Sequence, residues 1–207
     1  MEDRWLTQLK RLRALASTGL EFTKSDYERE RYQDMLDVIL AMLSDLGEVP
    51  LERVADVLLP HVNGYETPKV DVRAAVIQDN KILLVQEKTD KRWSLPGGYA
   101  DVGLSAAENA IKEVEEEAGI KVVTKKIYAV RHKAKGAYPP DVRDFYKIFF
   151  LCEQVCSKNI AAGSEALDAG YFSMDKLPEL SSGRVIEEDL AAAFNCLSGE
   201  MILPFFD

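Results

Sequence analysis

Residues 95–120 read LPGGYADVGLSAAENAIKEVEEEAGI. A glycine pair, Gly97 and Gly98, precedes a stretch whose last turns hold Glu113, Glu115, Glu116 and Glu117. A helix C-terminus carries partial negative charge and favours cations, so this crowding of carboxylates needs a reason. The ends of the helix are legible. Ser105 and Glu108 fit a capping box, which predicts a start at Ala106. Gly119 stands where a left-handed glycine would end it. With Glu113 set at zero and about 100° of turn per residue, Glu116 and Glu117 fall within about 60° of it. Ala107, Ala110, Ile111, Val114 and Ala118 form a neighbouring apolar face of small side chains, suited to close packing on a sheet. Glu108 and Lys112 are expected to pair at i,i+4 and face solvent.

The anionic arc of Glu113, Glu116 and Glu117 adjoins the apolar one and is expected to be partly buried. Like charges at that spacing repel, and the repulsion grows as water is removed. Protonation or a bound cation would relieve it, and oxygen-only ligands select hard cations such as Mg2+ or Mn2+. On charge alone, a solvated acidic face is the plain alternative. The glycine pair, the capped helix, the arc and the terminal glycine in one register point to a site.

The rest of the chain sets bounds. It has 207 residues, a formal net charge of -9 and 47% hydrophobic residues, the texture of a globular protein. That charge argues against loose binding to nucleic acid or to anionic membrane. No apolar run approaches the ~20 residues of a membrane span. The N-terminal MEDRWLTQLKRLRAL is amphipathic and charged, unlike a secretory signal, and a cytoplasmic location is expected. Three cysteines, Cys152, Cys156 and Cys196, read as reduced thiols.

Two regions follow from patterning: a helical domain over residues 1–64 and an α+β domain over residues 68–207. The first holds DRWLTQLKRLRALA, a break at STGLEFTKSD, a longer helix from near Ser25 to Gly47, and a short helix after Pro50 that Pro60 either ends or just follows. Its apolar stripes either pack on the rest of the chain or form a homodimer interface. In the second, VDVRAAVIQ and KILLVQEK form a hairpin around Asp79-Asn80, TDKRWSLPGG is loop, and VTKKIYAV, FYKIFFLCE and AGYFSM are further strands. RVIEEDLAAAFNCL is a final amphipathic helix.

Gly98 to Ile120 resembles the Nudix box, G-x5-E-x7-R-E-U-x-E-E-x-G-U with U aliphatic. Gly98, Glu113, Val114, Glu116, Glu117, Gly119 and Ile120 match; Leu104 and Lys112 replace the first glutamate and the arginine. The resemblance implies an α/β/α sandwich around a mixed sheet and hydrolysis of nucleoside diphosphates linked to a further group X, with Mg2+ or Mn2+. It implies Glu116 and Glu117 as principal metal ligands and Glu113 as a further ligand or general base, with the backbone of Gly97 and Gly98 offering a metal-binding carbonyl or a phosphate donor. The two missing residues brace loop and helix in the family. Lys112 keeps charge without the forked geometry, and Leu104 is expected to pack. RLRALASTGLEFTKSDYERERYQDM with GYETPKVDVRAAV is similar to a bacterial subgroup with a helical N-terminal extension, associated with ADP-ribose or CDP-choline pyrophosphatases and with dimerisation.

Outside the box, Arg73 on a buried strand either holds a phosphate or pairs with Glu87. Glu165 is either a further acid of the site or a surface glutamate. His132 and the following KAKGAYPPD are candidates for the X-group pocket, and Trp93 and Tyr99 for stacking on a base or for core packing. A small nucleoside diphosphate derivative is the expected partner. A non-catalytic nucleotide-binding regulator and an RNA exonuclease on the same metal site are the alternatives.

Overall fold

A computed structural model describes residues 2–58, 65–155, 159–201 and 203–207. The chain forms two compact units. One comprises the described residues up to Lys69 together with Pro140–Asp144; the other comprises Val70–Pro139 and Phe145–Asp207.

The first unit contains α1 (Arg4–Phe22), α2 (Asp26–Gly47) and α3 (Leu51–Leu58). Asp3 and Ser25 cap α1 and α2 by accepting from backbone amides of their first turns. Leu6, Leu9 and Ala16 meet Leu36, Ile39, Leu40 and Leu43 of α2 and Val54 and Leu58 of α3 in one apolar cluster. The expected break at STGLEF is corrected: α1 continues through it to Phe22. One glycine weakens a helix by only about 1 kcal/mol, and Ala16 and Leu20 on either side of Gly19 remain packed in that cluster. Lys10 is buried and paired with Glu2 and Asp144; Arg13 is buried against Glu66. Trp5, Leu15, Phe22, Tyr27 and Val38 remain exposed. Pro60, expected to end the third helix or to sit just past it, lies outside the described residues.

The second unit carries β1 (Lys69–Gln78, from its second residue), β2 (Lys81–Glu87), β3 (Trp93–Ser94), α4 (Ala106–Ala118), β4 (Val122–His132), β5 (Phe145–Gln154), β6 (Ala166–Phe172), α5 (Glu187–Ser198) and β7 (Phe205–Phe206). The strand order is β3-β2-β1-β5-β4-β7, with β6 also on β2. β7 is parallel to β4, whereas β2 pairs antiparallel with β1, β3 and β6, and β4 with β5, so the sheet is mixed. Asp79 and Asn80 both adopt positive φ, 49° and 58°, and turn β1 tightly into β2. Strand alternation then makes two cores. Val72, Ala74, Val76, Leu83 and Val85 meet Ala110, Val114 and Ala118 of α4. Ala75, Ile82, Leu84, Phe149 and Leu151 meet Leu190, Ala193 and Cys196 of α5. The result is the α/β/α sandwich expected. Cys152 and Cys196 are free and buried; Cys156 lies outside the described residues. Two strands escaped the sequence reading: β3, inside a stretch read as loop, and β7. Each has two residues, too few to show a period. Among the described residues no helix is long and apolar enough to cross a membrane.

Candidate active site

The site is assembled from α4, the loop before it, β1 and the loop before β6. The capping box forms as expected: Glu108 N–H donates to Ser105 Oγ (3.2 Å) and Ser105 N–H donates to Glu108 Oε2 (2.7 Å). Gly119 caps the far end at φ 68°. The expected Glu108–Lys112 pair is corrected. The cap turns Glu108 back to the helix start, and Lys112 Nζ instead bridges Glu116 (2.8 Å) and Asp101 (3.1 Å). Leu104, expected to pack, is 41% exposed. It belongs to a tight polar turn that Asn109 holds from α4. Asn109 Oδ1 accepts from Asp101 N–H (2.9 Å), and its Nδ2 donates to Ser105 O (3.1 Å). Asn109 and Lys112 thus both tie this turn to the helix.

Close backbone approach places the rest. Gly97 has φ 147°, and a Cβ there would lie 2.0 Å from Val72 O, so only glycine fits. Val72 N–H donates to Gly98 O and Ala74 N–H to Pro96 O, each at 2.9 Å, which lays the loop along β1. Gly97 N–H donates to Glu117 Oε2 (2.9 Å). Glu113 sits against Gly98, where a Cβ would be 3.0 Å from its Oε1. At the other end of α4, Ala161 N–H donates to Ala118 O (3.1 Å) and Gly163 N–H to Glu117 O (3.0 Å). A Cβ at Gly163 would fall 1.7 Å from Glu116 O. This docking brings in Glu165: carboxylate oxygens of Glu113, Glu116 and Glu165 lie within 4.8 Å of one another.

Burial acts on both Glu113 and Glu117. Burial pushes Glu117 up to about 7, against the Gly97 amide and the Arg73 charge, which pull it down. Burial also raises Glu113, with Lys112 and Arg73 opposing. Three carboxylates within reach of one cation, in a partly desolvated setting, are a donor set for a hard divalent ion.

Arg73 is 3% exposed. Its Nε and Nη2 donate to the two oxygens of Asp71 (2.7 and 3.2 Å), and its Nη1 donates to Leu95 O (3.1 Å). Glu87, the partner considered from sequence, is farther, at 3.9 Å. Glu87 instead accepts from Ser94 Oγ (2.6 Å) and Arg184 Nε (3.1 Å). Trp93 packs edge-on against Phe172 (4.7 Å) beside the α5-side core. Tyr99 stacks on Phe145 (5.8 Å). His132 closes β4, with its backbone N–H on the Asp207 carboxylate and its ring against Tyr146. The structure therefore gathers Gly97, Gly98, Arg73, Glu87, Glu113, Glu116, Glu117 and Glu165 in one connected region, and places Trp93 and His132 in aromatic surroundings.

Asp71, Lys147, Arg184 and Asn109 went unread in the sequence. Asp71 left a signal, since alternation puts it on the Arg73 face of VDVRAAV. Lys147 left one too, as the single cation within FYKIFFLC. Arg184, on a loop, left none.

Comparison with known proteins agrees with this architecture. Residues 67–194 match the NUDIX domain model, and residues 3–58 match a model described as a UDP-X-like, N-terminal oligomerisation domain. A Bacillus subtilis (strain 168) protein named "Putative ADP-ribose pyrophosphatase YjhB" is 40% identical over 95% of this chain and 94% of its own. The crystal structure of a UDP-X diphosphatase aligns over 98% of this chain and 97% of its own, with TM-score 0.63 and 33% identity. That of an ADP-ribose pyrophosphatase from Streptococcus suis aligns over 68% of this chain and 100% of its own, with TM-score 0.62 and 41% identity. This chain belongs to the Nudix hydrolases, with a helical N-terminal region of the UDP-X-like type ahead of the Nudix domain.

Proposed function

We propose that the chain is a divalent-cation-dependent pyrophosphohydrolase of small nucleoside diphosphate derivatives. The class is that of ADP-ribose, CDP-choline or a nucleoside diphosphate sugar, cleaved to a nucleoside monophosphate and X-phosphate. The observation that carries this reading is the convergence of Glu113, Glu116 and Glu165 within 4.8 Å beside the glycine loop. Those three carboxylates, with the Gly98 backbone next to them, would hold Mg2+ or Mn2+. Such an ion supplies charge neutralisation of the diphosphate and polarisation at phosphorus.

The protein's own groups account for the remainder. Water attacks one phosphorus and the bridging P–O bond breaks, leaving one phosphate on each product. The water's proton goes to a site carboxylate. Glu117, buried beside that cluster and held by the Gly97 amide, is the carboxylate we assign to accept it. The Gly97 amide fixes Glu117 through Oε2, leaving Oε1 for that proton. Arg73 contributes positive potential from beneath the loop, consistent with its opposing pull on Glu113 and Glu117.

The test is a product assay with Mg2+ or Mn2+ on ADP-ribose, CDP-choline, UDP-glucose, nucleoside triphosphates and short RNA. Release of nucleoside monophosphate, lost in Glu116→Gln and Glu165→Gln, is expected. Tight binding without turnover would favour a regulatory module, and degradation of RNA alone an exonuclease. The exposed Trp5, Leu15 and Phe22 support a homodimer through the N-terminal helices. Sedimentation of the full chain should give a dimer that Leu15→Glu weakens; a monomer at high concentration would contradict it.

A further inference from the structure

Lys147, in β5, has no solvent exposure. Its Nζ donates to Asp71 Oδ2 at 2.8 Å and lies over the rings of Tyr138 and Phe149. Burial pushes it down to about 8, with Asp71 pulling the other way. The fold does not need this ammonium to neutralise Asp71, because Arg73 already grips that carboxylate with two nitrogens. Removing Lys147 would still leave Asp71 held by Arg73, so no uncompensated carboxylate would be stranded, which is the situation that makes loss of a buried partner costly. A buried charge with no structural debt to settle points to what it does for its neighbours.

Those neighbours lead to the glutamates by named contacts. Asp71 Oδ2 is shared between Lys147 and Arg73 Nη2. Arg73 Nη1 holds Leu95 O, and its Cα and Cδ lie directly under Gly97, where a Cβ would be 2.9 and 3.0 Å away. The Gly97 amide in turn holds Glu117. Sharing Asp71 also leaves part of the Arg73 charge unspent, facing Glu87 and Glu117.

We propose that Lys147 is a positioning residue for the hydrolytic site: by dividing Asp71 with Arg73 it fixes the Arg73 fork beneath residues 95–97, and so fixes the Gly97 amide against Glu117. The proposal rests on the hydrolase reading for its kinetic readout only. The test uses the full chain with Lys147→Met and Lys147→Gln, ADP-ribose and Mn2+ for kinetics, and the metal-free protein for the Gly97 amide resonance and the melting temperature. In Lys147→Met, kcat should fall about tenfold, about 1.4 kcal/mol of barrier. KM should stay within about twofold, the pattern of an interaction made in the transition state. The melting temperature should hold or rise, and the Gly97 amide should shift. Lys147→Gln, which keeps a donor for Asp71, should recover part of kcat. An unmoved Gly97 amide in both variants, or a melting temperature that drops in step with kcat, overturns the proposal. If the parent chain hydrolyses nothing, the functional reading fails, and the Gly97 resonance still decides this one.

Discussion

Asp71 and Glu117 are both carboxylates, and each is 7% exposed. Arg73 touches the first directly and exerts its charge on the second. Their chemistry nevertheless diverges. Burial alone would raise Asp71, but Arg73 and Lys147 together carry it below its ordinary value. Burial raises Glu117 to about 7, with the Gly97 amide and the Arg73 charge opposing and the neighbouring Glu113 and Glu87 adding to the rise. The scaffold carboxylate is over-supplied with cations, and the site carboxylate is left short of them. On the proposed reading, that deficit is what leaves Glu117 available to a proton or a metal ion.

Removing the negative charge from the over-supplied side gives the largest expected effect. Asp71→Asn would leave Arg73 and Lys147 buried together, with Glu87 3.9 Å from Arg73 and Asp189 acting on Lys147. Stranding buried charge in this way costs about 3–5 kcal/mol. Urea unfolding near pH 6 should show a loss of that size. The loss should shrink by pH 9, because Lys147, already lowered to about 8, can then discharge. A loss below about 1 kcal/mol would mean that the two cations are solvated or paired elsewhere.

The same contrast explains how much of the molecule was legible in the sequence. Features governed by neighbours along the chain could be read. The Ser105–Glu108 cap, the Gly119 terminus, and the β1–β2 hairpin around Asp79-Asn80 depend on spacing within a few residues. The grouping of Glu113, Glu116 and Glu117 on one helix face was also visible, since it follows from helical geometry. What those carboxylates touch was not visible. Glu117 turns to Gly97 because the glycine loop lies along β1, and Glu165 arrives beside Glu113 because Gly163 lets a distant loop seat on the end of α4, two tertiary events without a local signal. Where two local rules competed for Glu108, the cap prevailed over the i,i+4 pair, since one carboxylate cannot face both the helix start and Lys112. Asp71 and Lys147 stand 76 positions apart and pair only once β1 and β5 are neighbours in the sheet.

Glu117 sharpens the comparison with a smaller effect of opposite sign. Its folded pKa, about 7, is raised above the unfolded 4.5. Between those values the folded chain holds more protons than the unfolded one, so stability falls as pH rises. The contribution is fully present below pH 4.5 and is lost as pH passes about 7. Glutamine keeps an oxygen for the Gly97 amide and cannot ionise. Metal-free Glu117→Gln should therefore match the parent near pH 4 and exceed its stability near pH 8 by about 3 kcal/mol, taking 1.36 kcal/mol per pKa unit. The same substitution should lower hydrolysis by about 10²–10⁴-fold, the usual worth of a positioned acid or base. Gain of stability with loss of turnover is what a carboxylate kept unpaired for function requires. Equal unfolding free energies for the two proteins at pH 8 would place Glu117 among ordinary, adequately neutralised carboxylates and remove the distinction from Asp71.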